Sequence, residues 1–170
     1  MSATVKMHDL IFEFDGPEDW QVYFDRETGT IHSFDEDLMA RAEDAEGSDQ
    51  EDNEFETDHD WDEESKGLAR LVARDWESKR FVPLPTKFDW HEYRRMEEFI
   101  DEMERGDKQD QLNYAIRGKG AFRRFKDAAH RLHVIDEWYA YREKSLVRFL
   151  AGWAKDHGIT ITDEPTTGAD

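Results

Sequence analysis

The spacing of apolar positions changes along the chain. Residues 20–24, WQVYF, and 30–34, TIHSF, are β-branched and aromatic runs on either side of DRETG. They predict a β-hairpin whose turn of about four or five residues contains Gly29. The apolar run at 10–14 fits either a strand or a short helix starting near His8. From about residue 62 the period becomes helical, through Leu68, Leu71, Val72 and Trp76. FVPLPT, residues 81–86, interrupts it, because proline lacks an N–H and restricts the residue before it. Over 89–104 the positions Met96, Phe99, Ile100 and Met103 form one helical stripe, with Asp89 as N-cap and Gly106 as the stop. Three further helices follow. Residues 107–117 turn Leu112, Ala115 and Ile116 inward, and residues 119–132 do the same with Phe122, Phe125, Ala129 and Leu132. Residues 134–156 bury Trp138, Leu146, Phe149, Leu150 and Trp153 before Gly158 ends the helix. Residues 159–162, ITIT, predict a short strand beside the N-terminal hairpin.

The resulting fold class is α+β: a small N-terminal antiparallel β-hairpin or sheet packed against about five amphipathic helices. A chain of 170 residues with 13% aromatics has enough material for one domain with a real core, expected over 1–163, with 164–170 as a frayed tail. The chain has no cysteine, which excludes disulfides, thiol catalysis and cysteine zinc sites. MSATVKMHDLIFEF lacks the basic start and apolar run of a secretory signal, and no apolar stretch approaches the roughly 20 residues of a membrane span. The expectation is a soluble, cytoplasmic protein without a membrane partner.

Charge changes this picture in two places. The formal net charge is -19, and residues 35–64 alone hold 16 Asp and Glu against one basic residue, Arg41. Within that stretch, residues 43–64 are dense in like charge and poor in aliphatics, so they are expected to form a disordered acidic insertion. The opposite bias falls at 117–131, where Arg117, Lys119, Arg123, Arg124, Lys126 and Arg131 face only Asp127. This segment also contains Gly118 and Gly120. The simplest use of the glycines is a tight turn between two antiparallel helices. They also suit an anion site: Gly118 ends one helix at positive φ, Gly120 opens the next to close approach, and the helix N-terminus attracts negative charge. Arg117, Lys119, Arg123, Arg124 and Lys126 then supply the cations for a phosphate. The spacing is not that of a P-loop. RGKGAFRRF also departs from the RNA-binding RNP1 pattern, since Lys119 stands where an aromatic would stack.

Several segments carry a likeness. FVPLP at 81–85, EYRRMEEFI at 92–100, IRGKGAFRRFKDAAHR at 116–131 and WYAYREKSLVRFLAGWAKDHGI at 138–159 cover much of the chain, together with the hairpin VYFDRETGTI. On these residues the chain resembles uncharacterised protein family 0158, a mainly bacterial family. The resemblance implies no established activity, cofactor or catalytic residue. The acidic stretch 43–64 is longer than the pattern it resembles.

Catalytic motifs are not evident. HEYRR has Arg95 where a zinc protease places its second histidine. His130 and His133 are three apart, a spacing explained by cations near a helix C-terminus. The acidic stretch lacks the order of an EF-hand loop. No catalytic residue, metal or cofactor is assigned. The leading expectation is therefore a non-enzymatic binding module for nucleic acid or another anionic partner. The alternatives are a protein-interaction module with the acidic loop as internal competitor, and an enzyme whose site is assembled from scattered residues.

Overall fold

The computed structural model describes residues 2–46, 61–75 and 77–163, and its class is α+β. Its contacts divide the chain into two compact units, Met1–Pro85 with Trp153–Asp170, and Thr86–Gly152.

The first unit is built on the expected hairpin. β2 (Trp20–Asp25) and β3 (Thr30–Asp35) pair antiparallel, with Tyr23 opposite His32 and Phe24 opposite Ile31. Gly29 closes the turn at φ +74°, and its amide donates to the Asp25 carbonyl at 2.8 Å. The stretch expected only to break the chain contributes a third strand, β4 (Phe81–Pro83), antiparallel to β2. Proline is accepted there because β4 lies at the edge of the order β3-β2-β4.

An arginine fork fastens the two strands. Asp25 is 1% exposed, and Arg80 donates to both its carboxylate oxygens at 2.8 Å, through Nε and one terminal nitrogen. The Glu27 amide donates to the same carboxylate at 2.9 Å. Held first by the Arg80 bonds, which outweigh the opposing effect of burial, Asp25 has a pKa well below the usual carboxylate range.

A second, parallel pair joins β1 (Thr4–Val5) to β5 (Thr160–Ile161), so the ITIT strand lies beside the N-terminal segment and not beside the hairpin. Between β1 and β2 the ambiguous run resolves as helix α1 (Met7–Phe14). Asp163 accepts hydrogen bonds from the Met7 and His8 amides and so caps α1.

The stretch 43–64, expected to be a disordered insertion, is helical at both of its described ends. Residues 43–46 complete helix α2 (Glu36–Glu46), and residues 63–64 begin α3 (Glu63–Arg74). Apolar contact holds both flanks against the sheet: Leu38, Met39 and Ala42 from α2 pack with Ala69 and Val72 from α3 and with Phe34 and Phe81. Asp62 caps α3 by accepting from the Ser65 amide at 2.7 Å. Leu71, expected inward, is 46% exposed, and Ala69 takes the buried position. Residues 47–60, Trp76 and the tail 164–170 lie outside the described residues.

The second unit is helical. It contains α4 (Lys87–Trp90), α5 (Glu92–Glu102), α6 (Asp107–Ala115), α7 (Ala121–Arg131) and most of α8 (Ile135–Asp156). Asp89 is not the N-cap of α5. It is the third residue of α4, in a reciprocal cap with Thr86. Left-handed His91 separates α4 from α5. Gly106 stands at the N-cap of α6, while α5 ends at Met103, where Gln109 donates to the Ile100 carbonyl at 2.8 Å. Met96, Ile100, Leu112, Ile116, Ala129 and Val134 surround an aromatic centre of Phe99, Phe125 and Trp138. Their ring centroids lie 5.0–6.3 Å apart in edge-to-face pairs. Among the described residues seven helices reach eight residues or more, against five expected. The additional two are α1 and α2. No helix among them is long and apolar enough to cross a membrane.

Candidate functional site

The glycine segment forms the connection between α6 and α7. Gly118 and Gly120 both adopt left-handed backbone, at φ +76° and +73°. A Cβ at Gly118 would meet nothing within 4 Å, so glycine is required there for conformation alone. At Gly120, the N-cap of α7, a Cβ would also approach Arg124 Nη1 to 3.5 Å.

Arg124 is the organising side chain. Its Nε donates to the Ala115 carbonyl at 3.1 Å, and its two terminal nitrogens donate to the carbonyls of Lys119 and Arg117. A planar fork with several N–H groups suits this task, and lysine could not reproduce it. Arg124 thereby satisfies carbonyls at the end of α6 and through the turn, where a helix leaves acceptors without internal partners. These bonds give Arg124 an intramolecular task beside the anion contact expected of it.

Arg124 is exposed like the other predicted cations and differs from them in these backbone hydrogen bonds. Arg117, Lys119, Arg123 and Lys126 are all exposed. Arg123 lies 4.0 Å from Asp127, a loose pair on one helix face with both side chains largely in solvent. Among the described residues no carboxylate forms an ion pair with Arg117, Lys119 or Lys126. The start of α7 has no acidic residue in its first turn and no side-chain cap. Its positive dipole end is therefore not neutralised by its own sequence.

Aromatic groups complete the surface. Phe122, expected inward, is 47% exposed. The buried positions of α7 are Ala121, Phe125, Ala128 and Ala129, and Phe122 lies at the edge of the face they form. Its ring meets Tyr93 of α5 at 6.4 Å and 65°. Tyr93 is itself 37% exposed and donates its hydroxyl to the Ile116 carbonyl at 3.0 Å, at the edge of the turn. Sequence reading passed over Tyr93 and misplaced Phe122. Periodicity gave no signal against Phe122, which lies one helical repeat of seven before the buried Ala129 and so at the edge of the same face.

The histidines do not converge on a metal arrangement. His130 is exposed in the last turn of α7, and His133 is left-handed just beyond it. Among the described residues no group of three or more His, Asp or Glu is placed to hold an ion. Comparison with protein-family models, curated proteins and solved structures matches none of them to this chain.

Proposed function

We propose that this chain is a binding module that engages a phosphate-bearing ligand, nucleic acid above all, at the glycine turn before α7. The observation that carries the reading is the exposure of Arg117, Lys119, Arg123 and Lys126 around an uncapped helix start, while the exposed Arg124 folds back onto backbone carbonyls of the turn. Cations that neutralise phosphates release counterions, so binding of this kind weakens steeply with salt. The reading uses this chain's own residues. Membership of uncharacterised protein family 0158, proposed from the segments quoted above, adds no role to any of them.

The test is a titration of the full chain with labelled DNA and RNA at several salt concentrations. The expected result is affinity that falls with salt, and a salt slope that drops by about one for each phosphate-contacting cation removed. Arg117→Glu with Lys119→Glu is expected to lower affinity on the order of tenfold or more, with thermal stability retained because both side chains are in solvent. Arg124 is unsuitable for this test, since its loss would disturb the turn. Absence of salt-dependent binding, or binding indifferent to the double substitution, would overturn the proposal.

A further inference from the structure

Four cations explain attraction to phosphate but not the presence of an exposed aromatic ring among them. Phe122 leaves nearly half its surface in water while Phe125, three positions on, is completely buried. Tyr93 braces the ring from α5 and is itself tied to the turn through the Ile116 carbonyl. The pair is thus fixed in position without being covered. Lys119 lies three residues before Phe122 and Lys126 four after it. Residues four apart on a helix share a face and are separated by about 6 Å along its axis. Phe122 and Lys126 therefore share a face of α7, and Lys119 stands in the turn before it.

We propose that the ligand is single-stranded nucleic acid, and that Phe122, braced by Tyr93, is the platform on which an unpaired base stacks. The inference rests on the phosphate-binding reading above and specifies its substrate class. Duplexes hide their base faces within their own stack, whereas an open strand offers them to an aromatic side chain. Lys119 and Lys126 complement the backbone charge near the stacked base. No hydrogen-bonding side chain is required to read base identity, so tolerance of sequence is expected.

The experiment measures affinity of the full chain for a labelled single-stranded oligonucleotide and for the corresponding duplex, across a salt series, with Phe122→Ala, Phe122→Leu and Phe122→Trp. The unsubstituted chain is expected to favour the single strand. Phe122→Ala should weaken single-strand binding by roughly tenfold, within the range for loss of one base–aromatic stack, and leave duplex binding and the salt slope unchanged. Phe122→Leu keeps an apolar contact for Tyr93 but removes the aromatic face, so it should behave as Phe122→Ala does. Phe122→Trp should restore affinity, and thermal melts establish that each variant folds. Equal single-strand affinity in Phe122→Ala and the unsubstituted chain, or a preference for duplex, overturns the stacking proposal while salt-dependent binding persists. Loss of salt-dependent binding to both ligands in the unsubstituted chain overturns the underlying phosphate reading as well.

Discussion

The two units differ sharply in charge. Thr86–Gly152 holds 13 acidic and 14 basic residues, a net of +1, whereas the rest of the chain holds 29 acidic and 9 basic, a net of -20. The chain's overall charge of -19 therefore describes one unit and misdescribes the other. An argument from total charge would exclude a phosphate ligand. The same argument made unit by unit weakens that objection, because the helical unit carries no net negative charge of its own.

Each unit also applies an arginine fork to a different acceptor. Arg80 grips a buried carboxylate and ties two strands together. Arg124 grips three backbone carbonyls and ties a turn together. The first contact involves a titratable partner and the second does not, so the two should respond differently to acid.

The largest expected effect on this contrast comes from the helical unit's core. Trp138 is 1% exposed between Phe99 and Phe125, and Trp138→Ala should destabilise that unit by about 3–5 kcal/mol, as for other buried aromatics. Urea unfolding followed by amide exchange would locate the loss. If the acidic unit lost protection equally, the two would unfold together. A smaller loss follows Asp25→Asn, and it should depend on pH. Because Asp25 has a lowered pKa in the folded chain, the stability it provides is fully present above the unfolded value of about 3.9. It declines as pH falls through the folded value. The gap in urea midpoint between the chain and its Asn variant should therefore be wide at neutral pH and close under strong acid. A constant gap would remove Asp25 as the cause.

The smallest effect is on the turn. Arg124→Ala should cost about 1–2 kcal/mol, a modest figure because the fork is partly in water. Arg124→Lys should recover little of it, since an ammonium cannot span three carbonyls. Unlike Asp25→Asn, the loss should be flat across the carboxylate range. Acid sensitivity of the Arg124 contribution would break the contrast between the two forks.

Legibility in the sequence followed the physics that each element depends on. The β2–β3 hairpin was readable because alternation and Gly29 act locally. The buried faces of α5 and α6 were readable for the same reason, through Met96, Phe99, Ile100 and Leu112. The strand β4 was not, because FVP is extended by pairing with β2, and a proline-containing run offers no local sign of such a partner. Helix α2 escaped notice because Leu38, Met39 and Ala42 are few among many carboxylates, and their partners lie on the later helix α3 and in the sheet. In the candidate site the left-handed Gly118 was legible, while the left-handed backbone of Gly120, expected only to allow close approach, and the fold-back of Arg124 were not. Nothing local separates an arginine that folds back onto carbonyls from Arg123, its solvent-facing neighbour.

The pairing of Thr4 with Thr160 has a consequence for the order in which the chain folds during synthesis. Residues 86–152 leave the ribosome as an uninterrupted segment whose helices contact near neighbours, the circumstance that favours rapid folding. The acidic unit is split around that segment. Its strand β1 emerges before that segment and must wait until residue 161 is available before the parallel pair can close, with Asp163 following to cap α1. Domains usually form in the order in which they are made. Here the β1–β5 pair is the exception, since it closes only after the whole helical segment between its strands has been made.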